Sequence, residues 1–190
     1  MGIKALGYVV ITTAKQAEWD RFLTQVVGVM AAGHTADGAA LYRIDDRPFR
    51  FRIEAGADER LFAAAYEVDD AAELEALRAQ IVALGRPVVA GTADEAAGRG
   101  VAAFFRTSDP AGNGLEFFHG DRRDDVAFVS PAGVSGFVTG EMGMGHAVFA
   151  APNFDETYAF YKAIGFGDTD VPRFHFSDDS NDPGMGFAFM

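Results

Sequence analysis

Histidine is the residue type in this sequence that points most directly to chemistry: there are four histidines and no cysteine. His146 lies in the apolar run Met144–Phe149, where an imidazole is either a hydrogen-bonded core residue or a ligand for a transition metal. From the residue type alone, the core interpretation is favoured. The lack of cysteine rules out disulfides and thiolate metal sites, so a metal centre here would use imidazole and carboxylate ligands.

The composition argues against several kinds of partner. The 28 acidic residues exceed the 16 basic ones, and the formal net charge of −12 repels phosphate backbones and anionic lipid. The 18 phenylalanines predict a large apolar core and would also suit a cavity for an aromatic ligand. No apolar run is long enough to span a bilayer, and the N-terminus lacks the pattern of a signal peptide. We expect a soluble, cytoplasmic protein that binds neither nucleic acid nor membrane.

Two similar units occupy the first 120 residues. In the first, the strand pattern Leu6–Ile11 precedes a helical pattern that ends at Gly28. In the second, the strand pattern Leu61–Val68 precedes Asp69-Asp70, which predicts a helix N-cap, and a helical pattern that ends at Gly85. The residues predicted to face inward are Trp19, Phe22, Leu23, Val26 and Val27 on the first helix, and Leu74, Leu77, Ile81 and Leu84 on the second. The strand-like runs after these helices are Ala39–Ile44, Phe49–Ile53, Val101–Thr107 and Leu115–Phe118.

A third unit begins at Met144. The strand pattern Met144–Phe149 precedes a helical pattern that ends at Gly165, so that His146 takes the place that Tyr8 has in the first unit. Phe154, Tyr158, Tyr161 and Ile164 lie on one face of this helical pattern. Residues 187–190 are typical of part of a strand, and Gly120–Glu141 has the composition of a linker.

The order of these elements predicts an α+β fold. We expect tandem βαβββ motifs, two in an N-terminal module and a third that is incomplete, with curled mixed sheets and the helices outside. The chain then divides into an N-terminal module at residues 1–120, a linker at 121–140 and the first part of a second module at 141–190.

Two segments carry a resemblance to a known family. Asp109-Pro110-Ala111-Gly112-Asn113-Gly114-Leu115-Glu116 combines a strong turn signal with the start of a strand. It resembles the closing turn of the motif in the vicinal-oxygen-chelate superfamily, which includes glyoxalases, bleomycin-resistance proteins and dioxygenases. Residues 135–146 resemble the linker into the catalytic module of type I extradiol dioxygenases, in particular the branch of 2,3-dihydroxybiphenyl 1,2-dioxygenases. The turn is specific to the superfamily, the linker is more specific, and the resemblance covers essentially the whole chain.

The resemblance implies two modules with different roles. In such enzymes the first module has lost its metal, and the second binds Fe(II), less often Mn(II), through two histidines and one glutamate. The ligand-equivalent positions of the first module are Tyr8, Ala63 and Glu116, which cannot hold a divalent ion well, and we interpret Glu116 as a charge at a strand end. His146 matches the first histidine ligand of the second module. The other ligands and the acid–base histidine are expected beyond Met190.

Three further residues are candidates for contact with a substrate. Val148 lies two positions after His146, so strand alternation points both side chains the same way. Phe187 matches a pocket-lining phenylalanine of the family, and core packing is the alternative for both apolar residues. His175 alternates within Phe174-His175-Phe176 and could lie at the edge of the pocket; a partly exposed histidine is the alternative.

The activity implied by the resemblance is extradiol (meta) cleavage of a catechol-type aromatic diol with O2 at a non-haem Fe(II), in the degradation of aromatic compounds. The partners would be a small diol and further copies of the chain in a homo-oligomer. The alternatives are a non-catalytic small-molecule-binding protein of the same superfamily and a truncated structural relic. A third motif without a fourth leaves an apolar sheet face uncovered, so we expect the 190-residue form to be poorly active.

Overall fold

The computed structural model of this chain describes residues 2–179, 182 and 184–190. The strands are β1 (Ile3–Thr13), β2 (Met30–His34), β3 (Ala40–Arg43), β4 (Phe51–Ala55), β5 (Arg60–Val68), β6 (Val89–Ala90), β7 (Ala103–Ser108), β8 (Gly114–His119), β9 (Arg173–Phe174) and β10 (Met185–Gly186). The helices are α1 (Gln16–Arg21), which continues as a π-helix (Phe22–Val27), α2 (Ala71–Ala83), α3 (Ala93–Arg99) and α4 (Phe154–Ala163), with a 3-10 turn at Gly140–Met142. No helix in the described part of the chain has the length and apolar character needed to cross a bilayer.

Strands β1 to β8 form one mixed sheet in the order β2-β3-β4-β1-β5-β8-β7-β6. Each half of this order is one βαβββ motif. The first strand of each motif is parallel to the last one, β1 to β4 and β5 to β8, and the two motifs meet where β1 and β5 pair antiparallel. The predicted tandem motifs and the α+β class are therefore confirmed.

The two faces of the sheet carry different side chains. On the outer face, Leu6, Val9 and Ile11 of β1 belong to one buried cluster with residues of α2 and α4. On the inner face, Tyr8 and Val10 join a second buried cluster. An irregularity between Leu6 and Tyr8 resets the alternation of β1 so that Leu6 and Val9 face the same way. Gly7 permits this, because a Cβ there would overlap the ring of Phe118.

The first helix differs from the predicted inward face. Leu23 is buried, and Trp19 and Val27 pack against the core, but Phe22 and Val26 are exposed, the latter by 71%. The reason is the change from α- to π-helix at Phe22, because i→i+5 hydrogen bonds do not follow the 3.6-residue period from which the face was predicted.

The second helix agrees with its predicted pattern except at its end. The Asp70 carboxylate caps α2 by accepting the backbone N–H groups of Ala72 and Glu73. Leu74, Leu77 and Ile81 are buried as predicted, whereas Leu84 is exposed. Leu84 is the C-cap, so it lies beyond the last residue whose direction the helical period fixes.

The third motif departs most from the prediction. Residues 144–149 do not form the predicted strand; the contacts there are a bridge between Gly143 and Leu6 and a hydrogen bond from Met144 N–H to the Leu6 carbonyl, 3.0 Å. A strand needs a neighbour that is hydrogen-bonded along its length, and among the described residues only Met144, at the start of this segment, bonds to a strand. Helix α4 is formed, and Gly165 follows it with a left-handed φ of 105°, as predicted.

The segment between the motifs lies against the first one. Residues 121–139 carry no regular secondary structure. Arg43 Nη1 pairs with Asp124 at 3.0 Å, and the Ser130 hydroxyl donates to the Gly28 carbonyl at 2.7 Å. The division into parts at 1–120, 121–140 and 141–190 stays a prediction.

Candidate functional site

The three ligand-equivalent positions of the first module come together on the inner face of the sheet. Tyr8, Ala63 and Glu116 are all buried, and Ala63 and Glu116 line one cavity of about 160 Å³. In the sheet register Tyr8 is paired with Ala65, which is paired with Glu116. Neighbouring strands lie about 4.8 Å apart, so the Tyr8 side chain reaches across the small Ala65. Its hydroxyl donates to Glu116 Oε2 at 2.6 Å.

Glu116 is the centre of a buried ion-pair cluster, and its interpretation as a charge at a strand end was wrong. The side chain is 0% exposed. Arg99 binds it with both arms of the guanidinium, Nε to Oε2 and Nη2 to Oε1, each at 2.7 Å. Arg106 Nε donates to Oε1 at 3.2 Å. The inner side of β8 is covered by other elements. The residue pattern of the strand alone does not reveal this burial, and so Glu116 was not predicted to be buried.

The ion-pair cluster around Glu116 continues through further charged side chains on the inner face of the sheet. Arg106 also pairs with Glu95 at 2.7 Å, and both arginines contact the Phe104 ring, whose centroid is 4.4 Å from the guanidinium carbon of Arg99 and 4.8 Å from that of Arg106. Arg52 pairs with Glu54 at 2.6 Å and with Asp37. These charged side chains, except Glu116, line a second, more open cavity of about 320 Å³ together with Phe62.

The protonation states follow from burial and from the neighbouring charges. Burial, with the charge of Glu116, raises the pKa of the Tyr8 phenol well above its usual range, so Tyr8 stays a neutral donor. Burial alone would lower the pKa of Arg99, but the hydrogen bond and the charge of Glu116 outweigh it and raise that pKa. Glu116 therefore receives four hydrogen bonds from neutral or cationic donors. These donors, with the methyl group of Ala63, do not fit a ferrous or manganous ion.

His146, the predicted metal ligand of the second module, is exposed, and no residue that the structure describes hydrogen-bonds to its ring. Val148 is 79% exposed. Across the described ranges, no group of three or more histidine, cysteine or acidic residues could hold a metal ion. His146 fits as one ligand, and these residues do not supply a complete site.

The other two predicted site residues lie at the hairpin of β9 and β10. Phe187 is exposed, and its ring packs edge-on against Phe174, with centroids 5.4 Å apart. His175 Nδ1 lies 3.1 Å from the carbonyl oxygen of Asp182. The roles of His146, Val148, Phe187 and His175 remain predictions.

Arg99 and Arg106 were not predicted from the sequence as site residues. A local signal for the first was present, because Thr92-Ala93-Asp94-Glu95 has the spacing of a capping box, and the structure forms that box at the start of α3. Helix α3 then carries Arg99 to the inner face. The pairing itself joins residues 17 positions apart on different elements, and no sequence period encodes it.

Known proteins are similar to part or to nearly all of this chain. The family model Dihydroxybiphenyl dioxygenase BphC D1 matches residues 6–56. The chain is 40% identical over 179 residues to the biphenyl-2,3-diol 1,2-dioxygenase of Paraburkholderia xenovorans (strain LB400), covering 94% of this chain and 57% of that protein. Over nearly its whole length, this chain is thus similar to an extradiol dioxygenase.

Two further extradiol dioxygenases show the same similarity. An iron-dependent extradiol dioxygenase of Rhodococcus jostii (strain RHA1) is 37% identical over 168 residues, which cover 87% of this chain and 55% of that protein. The crystal structure of a halotolerant catechol dioxygenase superimposes with a TM-score of 0.86 at 30% identity, covering 90% of this chain and 58% of that one. The chain thus spans little more than half the length of these extradiol dioxygenases.

Proposed function

We propose that this chain supplies the metal-free first module and the first part of the catalytic module of an extradiol dioxygenase. The activity would be meta cleavage of a catechol-type diol with O2 at a non-haem Fe(II), with Mn(II) as the alternative metal. The observation that supports this division is the hydrogen bonding of the Glu116 carboxylate. It accepts three hydrogen bonds from arginine side chains, so it is not available to bind a metal ion in the first module. The similarity to a biphenyl-2,3-diol 1,2-dioxygenase supports the substrate class.

In this proposal His146 is one of the three protein ligands of the iron. Its exposed imidazole makes no hydrogen bond to a described residue, so a ring nitrogen is free to bind a metal. The two-histidine, one-carboxylate arrangement of non-haem Fe(II) sites leaves further positions open for a diol and O2. A single imidazole does not hold ferrous iron, so His146 would need the other two ligands of the site to bind it.

Val148 and Phe187 would line the pocket for the aromatic ring, and His175 would lie at its edge. Both apolar side chains are exposed, so they are available to contact further protein or a ligand. A cytoplasmic location and assembly into a homo-oligomer belong to the same proposal.

The experiment is a chimera in which residues 1–190 are joined to the part of the P. xenovorans enzyme that follows the aligned segment. After anaerobic loading with Fe(II), we expect about one equivalent of iron and a yellow ring-opened product from 2,3-dihydroxybiphenyl in air. His146→Ala should abolish both. His34→Ala is the matched control, because His34 lies on the edge strand β2 of the first module, and it should change neither.

Two outcomes would contradict the proposal. If the folded His146→Ala chimera keeps its iron and its activity, His146 is not a ligand. If the parent chimera binds the diol but forms no coloured product with iron present, the chain belongs to a non-catalytic binding protein.

A further inference from the structure

The inner face of the first module contains a cation site that the protein itself fills. We propose that Glu116, Tyr8 and the face of Phe104 form a binding site for a guanidinium group, that Arg99 is its built-in occupant, and that the site takes a free guanidinium ion when Arg99 is removed. This proposal concerns the first module alone and is independent of the proposed activity.

The geometry around Glu116 selects a planar, forked cation. The carboxylate meets the Arg99 guanidinium with two parallel hydrogen bonds of 2.7 Å. Two-pronged pairing of this kind is specific to guanidinium, because an ammonium group presents a point charge. The Arg106 contact is a single bond at 3.2 Å from a half-exposed side chain, so it does not substitute for Arg99.

The remaining walls of the site also suit an organic cation. The Phe104 ring lies 4.4 Å from the Arg99 guanidinium carbon, a distance at which the negative face of the ring attracts a cation. The Tyr8 hydroxyl fixes Oε2 of Glu116 from the other side at 2.6 Å. A carboxylate, an aromatic face and a neutral donor form a recognition site for a flat cation without any metal.

Helix α3 places Arg99 in this site. Its N-terminus is held by the Thr92–Glu95 capping box, and Gly100 ends it in the left-handed region with φ 64°. Arg99 is thus the last helical residue, at the point where the chain turns towards β7. The first motif has no helix between β2 and β3, so an arginine placed by a helix at this point is a feature of the second motif.

A divalent metal does not fit the same place after Arg99 is removed. Glu116 would be the one carboxylate, Tyr8 stays protonated because of its raised pKa, and Ala63 offers a methyl group. Arg106 would remain within 3.2 Å of Glu116 and would repel a doubly charged ion. The vacated site should therefore distinguish guanidinium from metal ions.

The test is thermal unfolding of the 190-residue chain with Arg99→Ala. Loss of one partner of a buried ion pair should lower the Tm by roughly 10 °C. Guanidinium chloride at about 20 mM, far below denaturing concentrations, should raise the Tm of this variant by several degrees, whereas equal NaCl or urea should not. The parent protein should show no such rise, and CoCl2 should not restore the variant.

Matched variants make the result specific. Arg78→Ala removes an exposed arginine that pairs with Glu75 on α2, and guanidinium should have no stabilising effect on it. Arg99→Ala/Glu116→Gln removes both charges of the buried pair; it should melt above Arg99→Ala and should not respond to guanidinium. If Arg99→Ala does not fold, Arg99→Leu provides the test, because it keeps aliphatic packing but leaves Glu116 without its cation; its Tm should lie below that of the parent and rise on addition of guanidinium.

Three results would overturn the proposal. One is an Arg99→Ala protein that melts within about 1 °C of the parent, where a buried pair predicts a far larger loss. Another is equal stabilisation of Arg99→Ala by cobalt and guanidinium. The third is stabilisation of the double variant by guanidinium, which would place binding away from Glu116.

Discussion

The hydroxyl of Tyr161 lies 3.1 Å from Oδ2 of Asp109 and so joins helix α4 of the third motif to the closing turn of the second. Asp109 is fully buried and also accepts from the backbone N–H and the side-chain amide of Asn113, each at 2.8 Å. The same amide donates to the carbonyl of Ala150 at 3.0 Å. The turn therefore fixes its own shape and holds the start of the third motif.

Tyr161→Phe should lower the free energy of unfolding by about 1–2 kcal/mol, because it removes a donor from a buried carboxylate and keeps the ring. Chemical denaturation followed by circular dichroism measures this loss. Hydrogen exchange of the α4 amides should increase in the same variant, because the helix loses one of its polar attachments to the first module and keeps the bond from Gln80 to the Ala163 carbonyl.

Tyr158→Phe on the same helix is the control. The Tyr158 hydroxyl donates to Asp168, an exposed carboxylate that also pairs with Lys162. Its loss leaves no buried group without a partner, so stability should change little. Equal losses in the two variants would show that Asp109 does not couple the motifs.

The pKa of every tyrosine in the chain is raised, which predicts a loss of stability at alkaline pH. Burial, with the charge of Asp109, raises the pKa of Tyr66 to about 12. Tyr8, Tyr42, Tyr158 and Tyr161 are shifted in the same direction. The unfolded chain ionises its phenols near pH 10, whereas the folded chain does not. The stabilisation that comes from keeping these phenols neutral in the folded chain is complete below pH 10. It is lost as the pH rises from 10 towards 12.

A spectrophotometric titration with parallel circular dichroism tests this prediction. Phenolate absorbance should rise together with the loss of folded signal, and in denaturant it should rise near pH 10. Tyr66→Phe should reduce the slope of Tm against pH over this range. A phenolate signal that develops fully near pH 10 in protein that stays folded would refute it.

Two glycines should respond in opposite ways to the same substitution. A Cβ at Gly114 would overlap the backbone oxygen of Phe62, so Gly114→Ala should cost about 1–3 kcal/mol. Gly98 lies within α3 with open space around its Cα, so Gly98→Ala should add roughly 0.5–1 kcal/mol. Urea unfolding of both variants measures the difference. A stabilising Gly114→Ala would show that β5 and β8 are less closely packed than described.

The 190-residue chain by itself should retain much less than one equivalent of iron. His146 is the one metal ligand predicted within the chain, and the described residues contain no group of three or more side chains that could hold a metal ion. Anaerobic loading with Fe(II), desalting and metal analysis on protein of verified intact mass provide the measurement. His146→Ala should lower what remains, and His34→Ala should not. A full equivalent of tightly held iron on the parent would contradict this.

Much of the first module could be predicted from the sequence because its elements are locally encoded. The apolar strands β1 and β5 and the Asp70 cap of α2 each follow from a short pattern. Strands β2 and β6 were missed because Met30–His34 is rich in alanine and glycine and Val89–Ala90 has two residues, too few for a period.

Features that depend on distant partners could not be predicted. Residues 144–149 have the composition of a strand, but among the described residues only Met144 bonds to a strand, β1. The resemblance made Glu116 a ligand-equivalent position, but its four hydrogen bonds come from β1, α3 and β7, and only the assembled sheet brings these donors together.

The bond between Tyr8 and Glu116 joins residues 108 positions apart. A ribosome that adds 5–20 residues per second therefore leaves Tyr8 without its acceptor for roughly 5–20 s. During that interval the newly made β1 has no antiparallel partner until β5 emerges, and its free edge can pair with other nascent chains. Slower translation between these two residues would lengthen this exposure, and the yield of folded protein would then depend on chaperones that cover the first half of the chain.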